Sequence, residues 1–229
     1  MGRVEIQYRD KLLPNQAQAL VHELLVHAFG PEELGEPAAL IAELQNADMF
    51  TFSAWDGVKP LGASISWQAT HEVVLFSWLA VSPATRGHGV GTKLIRDTID
   101  YWESRPEIKL ILGEIEDPNR HVGSAAHGDP KRRWALYQRI GAKYLDFPFE
   151  MPRLSPQVPV GEDMWLISFG GSTHPAINPE TGNLQGLGLG RPLRDFLRAY
   201  VENSGESRGA SGKYRAPIER MLAAAASLD

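Results

Sequence analysis

Residues Val73–Tyr101 read VVLFSWLAV, SPATRGHGVG and TKLIRDTIDY, and this stretch decides the fold. The unbroken apolar run Val73–Val81 predicts a strand buried on both faces. Ser82-Pro83 ends it, because proline lacks the amide a ladder needs and turns the residue before it away from helix. Gly87, Gly89 and Gly91 follow at alternate positions. Leu94, Ile95, Thr98, Ile99 and Trp102 then recur at helical spacing, predicting a helix over Thr92–Arg105. Strand, glycine turn and helix outline an anion cradle. Glycine lets the backbone bend tightly against a ligand, and successive amides at a positive helix end attract phosphate.

The spacing separates this turn from two common nucleotide cradles. A dinucleotide turn, G-x-G-x-x-G, needs glycine where Thr92 stands, and the P-loop pattern does not fit either. What fits is Arg86-x-x-Gly89-x-Gly91, and here the sequence resembles the GNAT superfamily of acyl-CoA-dependent N-acetyltransferases. The resemblance implies that Arg86, Gly87, His88, Gly89, Val90, Gly91 and Thr92 hold the pyrophosphate of coenzyme A. It also implies that the strand end at Leu79, Ala80 and Val81 aligns the pantetheine arm and the acyl carbonyl.

Working outward toward the N-terminus, Val4, Ile6 and Tyr8 alternate with polar neighbours and predict a first strand. Asn15 is a candidate cap for a helix to about Phe29, with Leu20, Val21, Leu24 and Leu25 inward. A shorter helix is expected from Glu36-Pro37, carrying Leu40, Ile41 and Leu44. Met49–Trp55 and Leu61–Trp67 predict two strands joined at Asp56-Gly57.

Toward the C-terminus, Arg105-Pro106 breaks the helix, and Ile108–Ile115 predicts a strand parallel to the first through a right-handed crossover. Ligands sit beyond the carboxyl ends of such strands, where Glu114 and Glu116 stand. A carboxylate there is a candidate base for an ammonium acceptor; two solvated charges are the plainer reading. Glu116 is the first choice and Glu114 the second. His121 and His127, in the polar loop that follows, are titratable near neutral pH and are further candidates for acceptor contact.

Arg132–Ala142 predicts a short helix closed by Gly141. Leu136, Tyr137, Arg139, Gly141 and Ala142 match the family segment L-Y-x-[KR]-x-G-[FA]. The resemblance implies that Tyr137 donates a proton to the departing CoA thiolate. One departure stands just upstream: Pro130 and Arg133 occupy places where many relatives carry asparagine and alanine. Lys143–Phe149 and Asp163–Phe169 predict the closing strands, with Pro148, Pro152, Pro156 and Pro159 between them.

The fold class expected is α/β (α+β): a GNAT fold with a mixed central sheet of about seven strands and flanking helices, plus a C-terminal helical extension. Residues 1–170 would form the acyltransferase domain. Residues 171–229 would form a glycine-rich linker, with GLGLG as a hinge, and two amphipathic helices at Pro192–Val201 and Ala216–Leu228. This tail has three open roles: covering the acceptor cleft, forming a homodimer interface, or padding the sheet.

Composition bounds the rest. The 229 residues are 43% hydrophobic and 22% charged and include no cysteine, which removes disulfides, thiolate metal sites and a cysteine nucleophile. The start MGRVEIQYRD has no apolar leader and no run approaches a membrane span, so a cytoplasmic protein with no membrane partner is expected. A net charge of −5 argues mildly against nucleic acid as partner and leaves a cationic amine permissible. The resemblance implies acetyl-CoA as co-substrate, no metal, and a small-molecule or peptide amine as acceptor. Its alternative is a catalytically inactive acyl-CoA-binding sensor or interaction module, since fold does not fix function. Trp55, Trp67, Trp78 and Trp134 are candidates to line an apolar cleft, and Glu32, Glu33 and Glu36 to attract a cation.

Overall fold

The computed structural model describes residues 12–123, 128–154, 163–171, 177–178, 180–182 and 190–228. Within them, helices cover both faces of one six-stranded sheet. In chain order come α1 (Pro14–Glu23), α2 (Pro31–Leu34), α3 (Pro37–Glu43), β1 (Met49–Asp56), β2 (Lys59–Trp67) and β3 (Val73–Val81). Then follow α4 (Val90–Glu103), β4 (Leu110–Glu116), α5 (Pro130–Arg139), β5 (Lys143–Tyr144), β6 (Met164–Gly170), α6 (Gly190–Glu202) and α7 (Ala216–Ala226). The strands lie in the order β1-β2-β3-β4-β6-β5. The pair β3–β4 is parallel and every other pair is antiparallel.

Alternation along the strands divides the core. Val74 and Phe76 of β3 and Ile111 and Ile115 of β4 face α4 and α5. Their neighbours Val73, Leu75, Leu110 and Leu112 face α6 and α7, while α1 and α3 cover Ala63 and Ile65 of β2. On α4 the residues expected to face inward are all buried, with Leu94, Ile95 and Trp102 fully so. Burial of Leu94 and of Ile95 contributes about 2 kcal/mol each. Thr98 donates to the Leu94 carbonyl at 2.8 Å, so the 2.7 Å contact with Ser64 makes Ser64 the donor, and the polar pair is satisfied inside the core.

Several expectations change. The strand expected at Val4, Ile6 and Tyr8 lies outside the described residues, as do His127, Pro156, Pro159 and the GLGLG run up to Leu189; the described sheet has six strands, not about seven. Helix α1 is capped at Leu13, not Asn15, with the Gln16 side chain accepting the Leu13 amide at 2.9 Å, and it gives way at Leu25–His27 to a 3-10 turn. The strand expected over Lys143–Phe149 pairs as a strand only at Lys143 and Tyr144. Past it, Leu145 still donates to Leu166, but Asp146 donates to Gly182 instead, and Pro148 has no amide to give. The burial of β3 on both faces holds for Val73–Phe76 and fails at Ser77, Trp78 and Leu79, which are half-exposed.

That failure marks the site. Strands β3 and β4 pair in register from Val73–Leu110 to Phe76–Gly113 and no further. The β2–β3 register slips at the same level: Ile65 faces Trp78 and Ser66 faces Phe76, leaving Ser77 as the extra residue of a bulge. A bulge bends its strand, and from Ser77 onward β3 leaves β4, opening a wedge at the carboxyl ends of the two parallel strands.

The C-terminal helices close the sheet face beside that wedge. Helix α6 buries Leu193, Phe196, Leu197, Tyr200 and Val201, and α7 buries Ile218, Met221 and Ala225. Arg215 anchors their connection, bonding Glu206 at 2.7 Å and Glu150 at 2.8 Å. No helix among the described residues is long and apolar enough to cross a membrane.

Candidate active site

The glycine turn lies at one end of the wedge. Gly87 and Gly89 have φ of +80° and +79°, values that side chains disfavour, and a Cβ at either position would meet no protein atom within 4 Å. The space above them is open to a ligand. Gly89 caps α4 in the left-handed conformation. At Gly91 a Cβ would come within 3.1 Å of Val81 Cγ2, so glycine there lets the helix start close against the strand. The amides of Gly87, Gly89, Val90, Gly91 and Thr92 donate to no acceptor among the described residues; the ladder starts with Lys93 donating to Gly89. Arg86 Nε donates to the Val81 carbonyl at 3.4 Å, which holds the guanidinium beside the strand end, and His88 Nδ1 lies 3.0 Å from the Arg86 carbonyl. This amide cluster with one arginine suits a pyrophosphate.

The wedge continues from the turn. Ser82 donates to Leu61 of β2, so antiparallel alternation points the backbone groups of Ala80 at β2 and those of Leu79 and Val81 at the opposite edge. That is the edge β4 has left. The resulting cleft, about 230 Å³, is bounded by Leu79, Ala80, Val81 and Arg86 on one side and by Glu114, Glu116, Arg133 and Tyr137 on the other. Tyr137, on α5, packs edge-on against Phe169 at 5.0 Å and is buried. Burial pushes its phenol above the usual value, and the nearby Arg133 charge opposes that rise.

A second cavity, about 350 Å³, opens on the far side of β3 under α2, α3 and α6. The two cavities share Glu33, Ser77, Glu114 and Met164. Glu114 therefore borders both. Its Oε1 accepts a hydrogen bond from Tyr200 Oη of α6 at 2.5 Å. Burial raises the Glu114 carboxyl to about 7; the Tyr200 bond lowers it, and the neighbouring Glu33 charge raises it further. Burial and Glu114 together hold the Tyr200 phenol well above its ordinary value.

Glu116 has different company. Arg133 Nη1 lies 3.3 Å from its Oε2, and His121 Nδ1 lies 3.9 Å from its Oε1. The arginine that departs from the family pattern thus faces this carboxylate. Pro130 is the first residue of α5, capped by the Asp129 side chain accepting from Lys131 at 2.9 Å.

The structure accordingly brings Leu79, Ala80, Val81, Arg86, Glu114, Glu116 and Tyr137 around one cleft that starts at the glycine turn. Trp67 and Trp78 line the larger cavity, whereas Trp55 is core and Trp134 packs edge-on against Trp165 at 5.8 Å. Glu33 and Glu36 line it too; the Glu32 side chain lies outside the described atoms. Sequence reasoning missed Tyr200 and Ser77. Ser77 was signalled as the one polar residue in VVLFSWLAV, and Tyr200 as the hydroxyl-bearing ring on an otherwise apolar helix face. Among the described residues no three His, Asp or Glu side chains are grouped to hold a metal.

A mixed sheet whose two parallel strands part beside a glycine-capped helix fits the fold that the resemblance at Arg86, Gly89 and Gly91 implied. The profile of the acetyltransferase (GNAT) family matches residues 18–141, more than half of the chain, and the protein belongs to that family. Solved structures agree in fold. A GNAT-family protein from Bacteroides thetaiotaomicron is 24% identical, with 72% of this chain and 88% of that one covered and a TM-score of 0.56. The ribosomal-protein-S18-alanine N-acetyltransferase of Escherichia coli is 17% identical, covering 72% and 92%, with a TM-score of 0.51. Arabidopsis thaliana NAA60, solved with acetyl-CoA, is 15% identical, covering 72% and 97%, with a TM-score of 0.51. No match was found among curated protein sequences. The family match ends before α6, so Tyr200 comes from outside it.

Proposed function

We propose that the protein transfers an acetyl group from acetyl-CoA to a primary amine by direct attack within a ternary complex. One observation carries this reading: a donor cleft and a second cavity meet at Glu114, a half-buried carboxyl whose pKa is raised to about 7. Amine and thioester entering from the two sides would meet beside a base, which turns two encounters into one geometry.

The residues divide the work. Arg86, the amides from Gly87 to Gly91, the Thr92 hydroxyl and the His88 and Val90 backbone hold the pyrophosphate. The amides of Leu79 and Val81, with Ala80 between them, orient and polarise the acyl carbonyl. Glu114 takes the proton of the incoming ammonium, and its raised pKa matches a base working near pH 7. The nitrogen's lone pair then forms the N–C bond as the C–S bond breaks, Tyr137 supplies the proton to the sulfur, and the second proton leaving the nitrogen restores the Tyr137 phenol, while Glu114 returns its own proton to solvent. Glu116, whose oxygens already face Arg133 and His121 and which lines only the smaller of the two cavities, is the second choice for the base.

Thiol release from acetyl-CoA over a panel of amines tests the reading. Amine-dependent thiol is expected. CoA binding without thiol release from any amine would leave an acyl-CoA sensor in its place.

A further inference from the structure

Building on the transferase reading, we propose that the acceptor is a compact primary amine with an aromatic or apolar body and no anionic group. The larger cavity carries the argument. At about 350 Å³ it lies near the lower end of the range for small-molecule sites, about 300–1,000 Å³, and it reaches the base Glu114.

Its charge is one-sided. Glu33, Glu36, Glu43 and Glu114 line it, and among the described residues no lysine, arginine or histidine does. A cationic amine is attracted by such a wall, whereas a carboxylate on the acceptor would face like charges with no partner. Free α-amino acids are therefore disfavoured although they carry the reacting group.

Its walls are apolar at two fixed indoles. Trp78 Nε1 donates to the Glu33 carbonyl at 3.1 Å and Trp67 Nε1 donates to Asp48 at 2.9 Å. With both N–H groups satisfied, the indoles offer a ligand only ring surface, which suits an apolar body and the face-on approach of one ammonium. The rings are also fixed in advance, so a small ligand does not have to order them.

The matched pair 2-phenylethylamine and phenylalanine isolates the carboxylate, and ethylamine isolates the ring. Spermidine and a free-N-terminal tetrapeptide represent the polycationic and peptide classes. Thiol release is expected with a kcat/KM for 2-phenylethylamine at least tenfold above each of the other four, and Trp78→Leu should narrow its lead over ethylamine. Calorimetry of 2-phenylethylamine against the wild-type CoA complex gives a readout independent of turnover. Binding there without thiol release would uphold the pocket and overturn the transferase reading. Turnover that favours phenylalanine, spermidine or the peptide, or no binding and no turnover of 2-phenylethylamine, overturns the pocket.

Discussion

Tyr200 Oη of α6 donates to Glu114 Oε1 of β4 across 2.5 Å, joining residues 86 positions apart and tying the C-terminal helices to the mouth of the wedge. The bond favours the charged carboxylate against the burial that opposes it. Tyr200 thus acts as a positioning residue for the proposed base. Replacing it with phenylalanine removes the lowering influence and leaves burial and Glu33 unopposed. The kcat/KM profile of the wild type should rise with pH through about 7. In Tyr200→Phe the midpoint should move to higher pH, a displacement that a purely structural role would not cause.

Glu33→Gln should act in the opposite sense. The Glu33 charge raises the Glu114 pKa, so its removal should move the midpoint of the same profile to lower pH. Comparing the two variants under one buffer series checks the sign directly. The amine's own titration, near ~10, lies too far away to mimic either displacement.

The cradle predicts selective loss of donor binding. Arg86→Ala and Gly89→Asp should each raise the CoA dissociation constant more than tenfold. Arg86→Ala removes the arginine offered to the pyrophosphate. Gly89→Asp adds a negative side chain at a left-handed position whose surrounding space the protein leaves open. Calorimetry with CoA reads both, and unchanged affinity in either would remove the pyrophosphate from this turn.

Tyr137→Phe should lower kcat and leave CoA affinity unchanged, because only the proton donor is lost while the packing against Phe169 remains. Full activity in this variant would assign thiolate protonation to water.

The tail should matter for stability as well. The Glu206 side chain is only 3% exposed, and Arg215 is its counterion. Burial pushes the Glu206 carboxyl up, but the bonds from Arg215 and from the Arg153 amide outweigh it and hold the pKa below 4.5. A lowered folded-state pKa gives stability that is present above pH 4.5 and is lost as the pH falls through the folded value. Arg215→Ala should destabilise the fold at pH 7 by about 2 kcal/mol, since Glu206 loses its charge-assisted bonds and keeps the Arg153 amide and charge. Denaturant melts at pH 7 check this, and the deficit should shrink on acidification.

How much could be read from the chain depends on distance along it. The glycine turn and the buried face of α4 were legible because Arg86, Gly87, Gly89, Gly91 and that face are local: a single turn and the helix it starts fix their geometry. The parting of β3 and β4 was not, because Ser77 becomes a bulge only through its register with Ser66. The order of Glu114 and Glu116 was not legible either: the chain alone put Glu116 first, whereas the packing favours Glu114 as the proposed base. Period two places both at the strand mouth, and only packing sets Tyr200 beside one and Arg133 beside the other. Strand β5 stops early because Asp146 finds its partner in Gly182, a tertiary contact without a local signal.

Glu114, where the two cavities meet, is the proposed base. The most direct measurement is single-turnover thiol release by Glu114→Gln and Glu116→Gln at saturating acetyl-CoA and amine, with CoA affinity measured in parallel. Transfer should be at least a hundredfold slower in Glu114→Gln, in line with the usual loss of about 10²–10⁴ when a general base is removed. The CoA dissociation constant should be unchanged in that variant, and Glu116→Gln should have a much smaller effect. Near-normal transfer by Glu114→Gln, with the loss falling on Glu116→Gln, would contradict this assignment.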